Sequence, residues 1–299
     1  MQIGVIDIGG TSIKFGVVND KGDILQHDAI PTEAERGGKQ VMKRVVGICE
    51  SLMKEFSVRG FSISSAGQID SVHGKVLYAT ANIPQFTGTP IAETIRESTG
   101  LPVKVENDVN CTALGEYWKG AAASVDHFLC VTIGTGIGGA LFLNGELYTG
   151  TSFAAGELGH MTLYPNGKRC TCGKRGCYEQ YASSAALEKS VFQAFGYALD
   201  LRDFFSMVKE NDPTCINVFE QWVDDLTTGM ASLVHMFNPE LIVIGGGISA
   251  QGDILLHAIQ SSIKSKILPN HRHSLAIKLA EHGNQANLIG AAKHYFMNQ

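Results

Sequence analysis

The stretch Phe128-Leu-Cys-Val-Thr-Ile133, Gly134-Thr-Gly-Ile-Gly-Gly139, Ala140-Leu-Phe-Leu143, Asn144-Gly145 reads as strand, glycine turn, strand and hairpin turn. The same pattern opens the chain: an apolar run over 3–8, Gly9-Gly10, Ile13-Lys-Phe-Gly-Val-Val18, then Asn19-Asp-Lys-Gly22. A shift of 125 residues lays Asp7 on Thr132 and Gly9 on Gly134. This self-similarity predicts two related α/β domains with a cleft between them, each offering a glycine hairpin to that cleft. The boundary is expected at the small-residue stretch Gly120–Ser124. That gives an N-terminal domain over 1–120 and a C-terminal domain over 121–286, with a last helix near 287–299 packed back on the first.

Strands and helices alternate around the repeat, which argues for an α/β fold. Residues 38–57 place Val41, Val45, Ile48, Cys49, Leu52 and Phe56 on one helical face. A strand over 60–64 leads into irregular chain through Asn82-Ile-Pro84. A helix is expected over 91–99, a strand over 101–105 and a helix from about Val109 to Trp118. Asp212-Pro213 is an N-cap followed by proline at the first helical position, and Asn238-Pro239 closes that long helix. Leu241–Ile244 reads as a buried strand ending in Gly245-Gly-Gly247. A helix near 253–266, a strand over 275–280 and a final helix over 287–297 follow.

Composition excludes several classes. The chain has 299 residues, 44% hydrophobic and 18% charged, which suits a globular protein with room for two cores. No apolar run reaches the ~18 residues that a membrane span needs. The start, Met1-Gln-Ile-Gly-Val-Ile-Asp7, lacks the basic and apolar regions of a signal peptide. A net charge of −5 argues against nucleic acid as a partner. Of seven cysteines, Cys49, Cys111, Cys130 and Cys215 sit singly in apolar segments as core thiols, and three cluster. A cytoplasmic protein with one metal site fits better than a disulfide scaffold.

Gly134-x-Gly136-x-x-Gly139 matches the dinucleotide-binding fingerprint letter for letter. That fingerprint requires a helix after the turn, whereas Ala140–Leu143 and Asn144-Gly145 read as strand and turn. A glycine hairpin can still cradle phosphate with exposed backbone N–H groups, and Gly245-Gly-Gly247 adds a third such turn. Asp7 ends an apolar strand, so it needs donors or a cation; it could orient hydrated Mg²⁺ or merely cap Gly9 or Gly10. Lys14 could face phosphate, but solvating the hairpin is the simpler reading. Glu106-Asn107-Asp108 opens a helix, where Asp108 could be an N-cap, a general base for a sugar hydroxyl, or both.

Cys170, Cys172 and Cys177 lie within eight residues, with His160 nine intervening residues upstream. Four such ligands make a closed, structural zinc site with no open position for a catalytic water. One nitrogen of His160 can bind metal while the other points at a ligand. Glu157, Glu179, Asn107 and Asn82 would complete a lining for sugar hydroxyls.

Asp7-Ile-Gly-Gly-Thr11, Glu106-Asn-Asp108, Ile133-Gly-Thr-Gly-Ile-Gly-Gly139, Glu157-Leu-Gly-His160, Cys170-x-Cys172-Gly-x-x-Gly-Cys177-x-Glu179 and Gly245-Gly-Gly247 together resemble the ROK family of sugar kinases and repressors. The resemblance covers essentially the whole chain. It implies a duplicated actin-like, RNase-H-like fold and ATP-dependent phosphorylation of a hexose at its 6-hydroxyl. It makes Asp108 the base, and it gives Asn107, Glu157, His160 and Glu179 to the sugar, with Asn82 and the Gly67 loop at the border. It sets Asp7, Gly9, Gly10, Thr11, Gly134, Thr135 and Gly136 around phosphate and Mg²⁺, and Gly245, Gly246 and Gly247 by the nucleotide. It assigns zinc to His160, Cys170, Cys172 and Cys177, and it implies a homodimer.

Many family members carry Pro-Gly where this chain has Ser65-Ala66-Gly67. Loss of the proline is expected to loosen a loop beside the sugar and leaves the substrate open. Glucose or a glucose-like hexose is the first expectation, with N-acetylmannosamine and β-glucosides behind it. A sugar-responsive repressor is the remote alternative. Such members carry a helix-turn-helix ahead of the kinase-like body, and here only Met1-Gln2 precede the first strand.

Overall fold

Both glycine turns form hairpins, and each hairpin starts a sheet of the same topology. A computed structural model describes residues 1–299, the side chain of Asn284 excepted. The strands are β1 (Gln2–Ile8), β2 (Ser12–Asn19), β3 (Ile24–Pro31), β4 (Phe61–Ser65), β5 (Gln68–Asp70), β6 (Lys75–Tyr78), β7 (Val103–Asn107), β8 (Phe128–Ile133), β9 (Ile137–Leu143), β10 (Glu146–Tyr148), β11 (Leu241–Gly245) and β12 (Ala276–Leu279). The helices are α1 (Gly38–Glu55), α2 (Ile91–Thr99), α3 (Asp108–Lys119), α4 (Glu179–Ala182), α5 (Ser184–Phe195), α6 (Leu201–Lys209), α7 (Pro213–Phe237), α8 (Asp253–Lys264), α9 (Pro269–Ser274) and α10 (Ala286–Met297).

The sheets run β3-β2-β1-β4-β7 and β10-β9-β8-β11-β12. In each, an antiparallel hairpin is extended by two parallel strands. The repeat read from sequence is therefore a repeat of topology. The chain forms two compact units: Met1–Ser124 with Leu147–Ala155 and Asn284–Gln299, and Val125–Glu146 with Gly156–Gly283.

In the first unit β1 is covered on both faces. Ile6 and Ile8 join a core with Val41, Val45 and Cys49 of α1. Ile3 and Val5 join another with Cys111 of α3 and Leu288, Ala291 and Tyr295 of α10. Side chains alternate along a strand, so Asp7 shares the face of Ile3 and Val5 and looks towards α3 and α10. Those helices approach closely: a Cβ at Gly115 would strike the Ala286 carbonyl, and one at Gly290 the Cys111 carbonyl.

In the second unit the long helix α7 begins as its sequence predicts. Asp212 accepts from Cys215 N (2.9 Å), Pro213 takes the first turn, and Asn238 closes it in left-handed conformation. Two features depart from the sequence expectation. The stretch read as irregular contains the small β5–β6 hairpin. Residues 184–209 hold α5 and α6, whose Phe205 packs edge-on against Phe219 of α7. No helix among the described residues is long and apolar enough to cross a membrane.

Candidate active site

The first unit gathers two carboxylates at the ends of β1 and β7. Asp7 is 4% exposed. Its Oδ1 accepts from Ser64 Oγ (2.6 Å) and Asn287 Nδ2 (3.1 Å). Lys14 Nζ, its cross-strand partner, lies 3.4 Å from Oδ2. These donors replace the turn-capping role considered for Asp7, and Lys14 faces the carboxylate instead of only solvating the hairpin. Thr32 pins the adjoining turn, donating its hydroxyl to Gly9 O (2.7 Å) and its N–H to Thr11 O (2.9 Å). Gly10 and Thr11 are exposed at the tip.

The cap of α3 is Asn107, not Asp108. Asn107 Oδ1 accepts from Val109 N (2.9 Å) and Asn110 N (3.1 Å), an arrangement worth about 1 kcal/mol. Its Nδ2 donates to Gly67 O and to Asp108 Oδ1, both at 2.9 Å. Asp108 stands at the first helical position, and its Oδ1 also accepts from Val109 N (3.0 Å), sharing that amide with Asn107. It keeps a partly exposed surface. Burial of its surroundings and the charge of Asp7 push its pKa up to about 7. Glu106 is fully interior; burial raises its pKa, and its Oε1 accepts from Asn107 N (2.7 Å) and Asn110 Nδ2 (2.9 Å).

The loop after β4 is tied where loosening was expected. The Ala66 N–H, which a proline would lack, donates to Ile8 O (3.2 Å). Gly67 has φ +100° and packs so closely on the Tyr78 carbonyl that a side chain would be strained there. Asn82 is exposed in the loop between β6 and α2.

The second unit carries the cysteine knuckle. Gly173 N donates to Cys170 O (3.0 Å) and Cys170 N to Lys174 O (2.9 Å), which folds the loop back on itself. The ligand atoms of His160, Cys170, Cys172 and Cys177 all lie within 4.8 Å of one another. His160 Nδ1 is 3.7 Å from Cys170 Sγ, and Cys172 Sγ is 3.6 Å from Cys177 Sγ. Tetrahedral zinc with bonds of about 2.0 Å to nitrogen and 2.3 Å to sulfur needs ligand separations of about 3.4–3.8 Å; these two distances match it, and the widest separation in the set, up to 4.8 Å, would close around the ion.

The knuckle presents polar groups on its other side. His160 Nε2 is 3.9 Å from Glu157 Oε2, and His160 Nδ1 is 3.9 Å from Glu179 Oε1. Glu179 Oε1 also accepts from the Cys170 thiol (3.1 Å). Tyr178 anchors the turn: it is fully buried, its hydroxyl donates to Leu226 O, and its ring lies against Gly229 of α7.

The glycine turns of this unit abut. Gly245 pairs with Thr132, and a Cβ at Gly246 would strike the backbone of Ile133. At Gly10, Gly134 and Gly247 a Cβ would meet nothing within 4 Å, and none has positive φ. Neither packing nor backbone conformation demands a glycine at these three positions. Thr135 is exposed beside them. Gly136 differs: its Cβ would lie 2.6 Å from Glu179 Oε2, so its missing side chain makes room for that carboxylate.

The sequence profile of the ROK family matches residues 3–295. The chain belongs to the ROK family. It is 32% identical to a glucokinase of Thermotoga maritima over 96% of this chain and 95% of that one. It is 31% identical to a β-glucoside kinase of Listeria innocua over 100% and 99%. The crystal structure of a ROK family glucokinase from Streptomyces griseus in complex with glucose and AMPPNP superposes with a TM-score of 0.86 at 29% identity, covering 98% of this chain and 99% of that one. The duplicated sheets described above are thus the actin-like two-domain fold of ROK sugar kinases.

Sequence reasoning missed Ser64, Thr32, Thr112 and Asn287. The run Ser62-Ile-Ser-Ser65 in a buried strand was a usable signal for Ser64, because a buried hydroxyl needs a partner.

Proposed function

We propose that this chain transfers the γ-phosphate of ATP to the 6-hydroxyl of a hexose, with glucose or a glucose-configured sugar as the preferred acceptor. ATP-dependent sugar phosphorylation is the reaction class of the ROK kinases it resembles over its full length. The observation that carries the reading is Asp108: a partly exposed carboxylate at the head of α3, within reach of the charge of Asp7, with its pKa raised to about 7. A base poised there can take a proton from a sugar hydroxyl near neutral pH. Glu157, His160, Glu179 and Asn107 supply acceptors and donors for the ring hydroxyls. The open turns at Gly9–Thr11, Gly134–Gly136 and Gly245–Gly247 offer backbone N–H groups to the nucleotide.

Mg²⁺ bound with ATP would neutralise charge on the transferring phosphate, and Asp7 beside Lys14 is the group placed to orient its water shell. Zinc held by His160, Cys170, Cys172 and Cys177 would be closed and structural. It would fix the Nδ1 side of His160 and leave Nε2 for the substrate. A homodimer in a thiol-preserving cytoplasm belongs to the same reading, which the unpaired cysteines suit.

The test of substrate is a sugar panel with Mg·ATP, read as kcat/KM. Glucose should lead N-acetylmannosamine, fructose and β-glucosides. A tenfold preference for N-acetylmannosamine or a β-glucoside would replace glucose as the acceptor.

A pH dependence also follows. Asp108 must be ionised to accept a proton, so kcat/KM should fall as pH drops through about 7 and level off above it. The stability linkage has the matching sign. The folded pKa lies above the ordinary aspartate value of 3.8, so this group favours the fold below 3.8 and loses that contribution as pH rises to about 7. A kcat/KM flat between pH 5.5 and 8.5 would contradict the assignment.

A further inference from the structure

Asn287 stands on the first turn of α10, 280 residues from Asp7 in sequence, and touches it. Its amide can face only one way. Asp7 Oδ1 accepts and cannot donate, so the Asn287 NH₂ must point to it at 3.1 Å. Asn287 Oδ1 then faces Thr112 Oγ1 at 2.8 Å, on the helix that carries Asp108. The Thr112 hydroxyl has one hydrogen and two acceptors in reach, Asn287 Oδ1 and Asp108 O at 3.0 Å. Donation to Asn287 Oδ1 serves the shorter of the two contacts. The result is a one-way chain of donation, Thr112 to Asn287 to Asp7. With Ser64 it occupies Asp7 Oδ1 and leaves Oδ2, beside Lys14, as the oxygen with a lone pair to spare.

We propose that Asn287 is a positioning residue for phosphoryl transfer: from α10 it fixes the Asp7 carboxylate in the orientation that meets the metal–nucleotide, and ties it to the helix bearing Asp108. The inference rests on the reading of Asp7 given above. Its physical basis is that a buried carboxylate held by neutral donors is pre-oriented, and that losing one charge-assisted hydrogen bond frees it to rotate.

The experiment is equilibrium binding of AMPPNP, with and without Mg²⁺, to wild type, Asn287→Leu, Asn287→Ala and Asp7→Asn, alongside glucose binding and thermal melts. Leucine keeps the volume and removes the donor. Both Asn287 variants should lose about tenfold of the Mg²⁺-dependent gain in affinity. Their metal-free AMPPNP and glucose affinities should stay within about twofold of wild type. Asp7→Asn should lose more of the same gain. Full Mg²⁺ dependence in the Asn287 variants, with loss in Asp7→Asn, overturns the role of Asn287 alone. Full dependence in Asp7→Asn overturns the reading of Asp7 and this inference with it. Equal weakening of every ligand means a merely structural role and also overturns it. If the α10 variants melt below the assay temperature, Thr112→Val tests the chain from its other end: a loss of Mg²⁺-dependent affinity supports it, and an unchanged value overturns it.

Discussion

Asp108→Asn is expected to lose roughly 10²–10⁴-fold in kcat while binding sugar and ATP nearly as wild type does. The substitution keeps the shape of the side chain and its place beside Asn107. It removes the basic, negatively charged oxygen that takes the proton from the attacking hydroxyl. The cap of α3 belongs to Asn107, so the fold should tolerate the change, and melting should move little. Any change in stability should be a small gain, because the mutant no longer carries a carboxylate that burial and Asp7 disfavour. A coupled ADP assay measures the rate and calorimetry the sugar affinity. A mutant within about threefold of wild type would remove Asp108 from the role of base.

Loss of zinc is expected to act on the sugar and much less on the nucleotide. Three of the four ligands lie on one short loop, and the fourth, His160, ends the turn that begins beside Glu157. Glu179 follows the last cysteine by two residues and shares contacts with Cys170 and His160. Burial pushes the Cys177 thiol up to about 12, so a bound cation is what would make it a thiolate. Without that cation the loop keeps the Tyr178 anchor and its backbone hydrogen bonds but loses the link that joins His160 to the three cysteines. Chelation or Cys172→Ser should raise the glucose Kd by at least about tenfold and change AMPPNP affinity far less. Metal analysis should find one zinc per chain in wild type. Apo protein that binds glucose normally would end the idea that the metal orders the sugar residues.

Local chemistry decided which parts of this molecule were legible in its sequence. The duplicated sheet was readable because strand, glycine turn and strand leave the same mark at 3–18 and at 128–143. The cysteine knuckle was readable because metal ligands must be close in space and here are also close in sequence. Whether Asn107 or Asp108 holds the cap position of α3 was not legible, because asparagine and aspartate are equally good caps and stand side by side. Gly67 O draws the Asn107 NH₂ outward and leaves its oxygen to Val109 N and Asn110 N, while Asp108 Oδ1 shares the first of these amides. The Ala66 loop was misread for a related reason. A missing proline was weighed as lost stiffness, while the N–H it restores bonds to Ile8 O. Asn287 left no local trace, because its partners Asp7 and Thr112 come from β1 and α3. Residues 184–209 escaped because the apolar faces of α5 and α6 are completed by α7.

The account rests on one reaction, and its product can be read directly. Purified protein incubated with glucose and Mg·ATP should yield one ADP per sugar phosphate, and ³¹P NMR should show a phosphomonoester coupled to the two hydrogens on carbon 6. ADP formed at the same rate without sugar, or phosphate attached at another carbon, would contradict it.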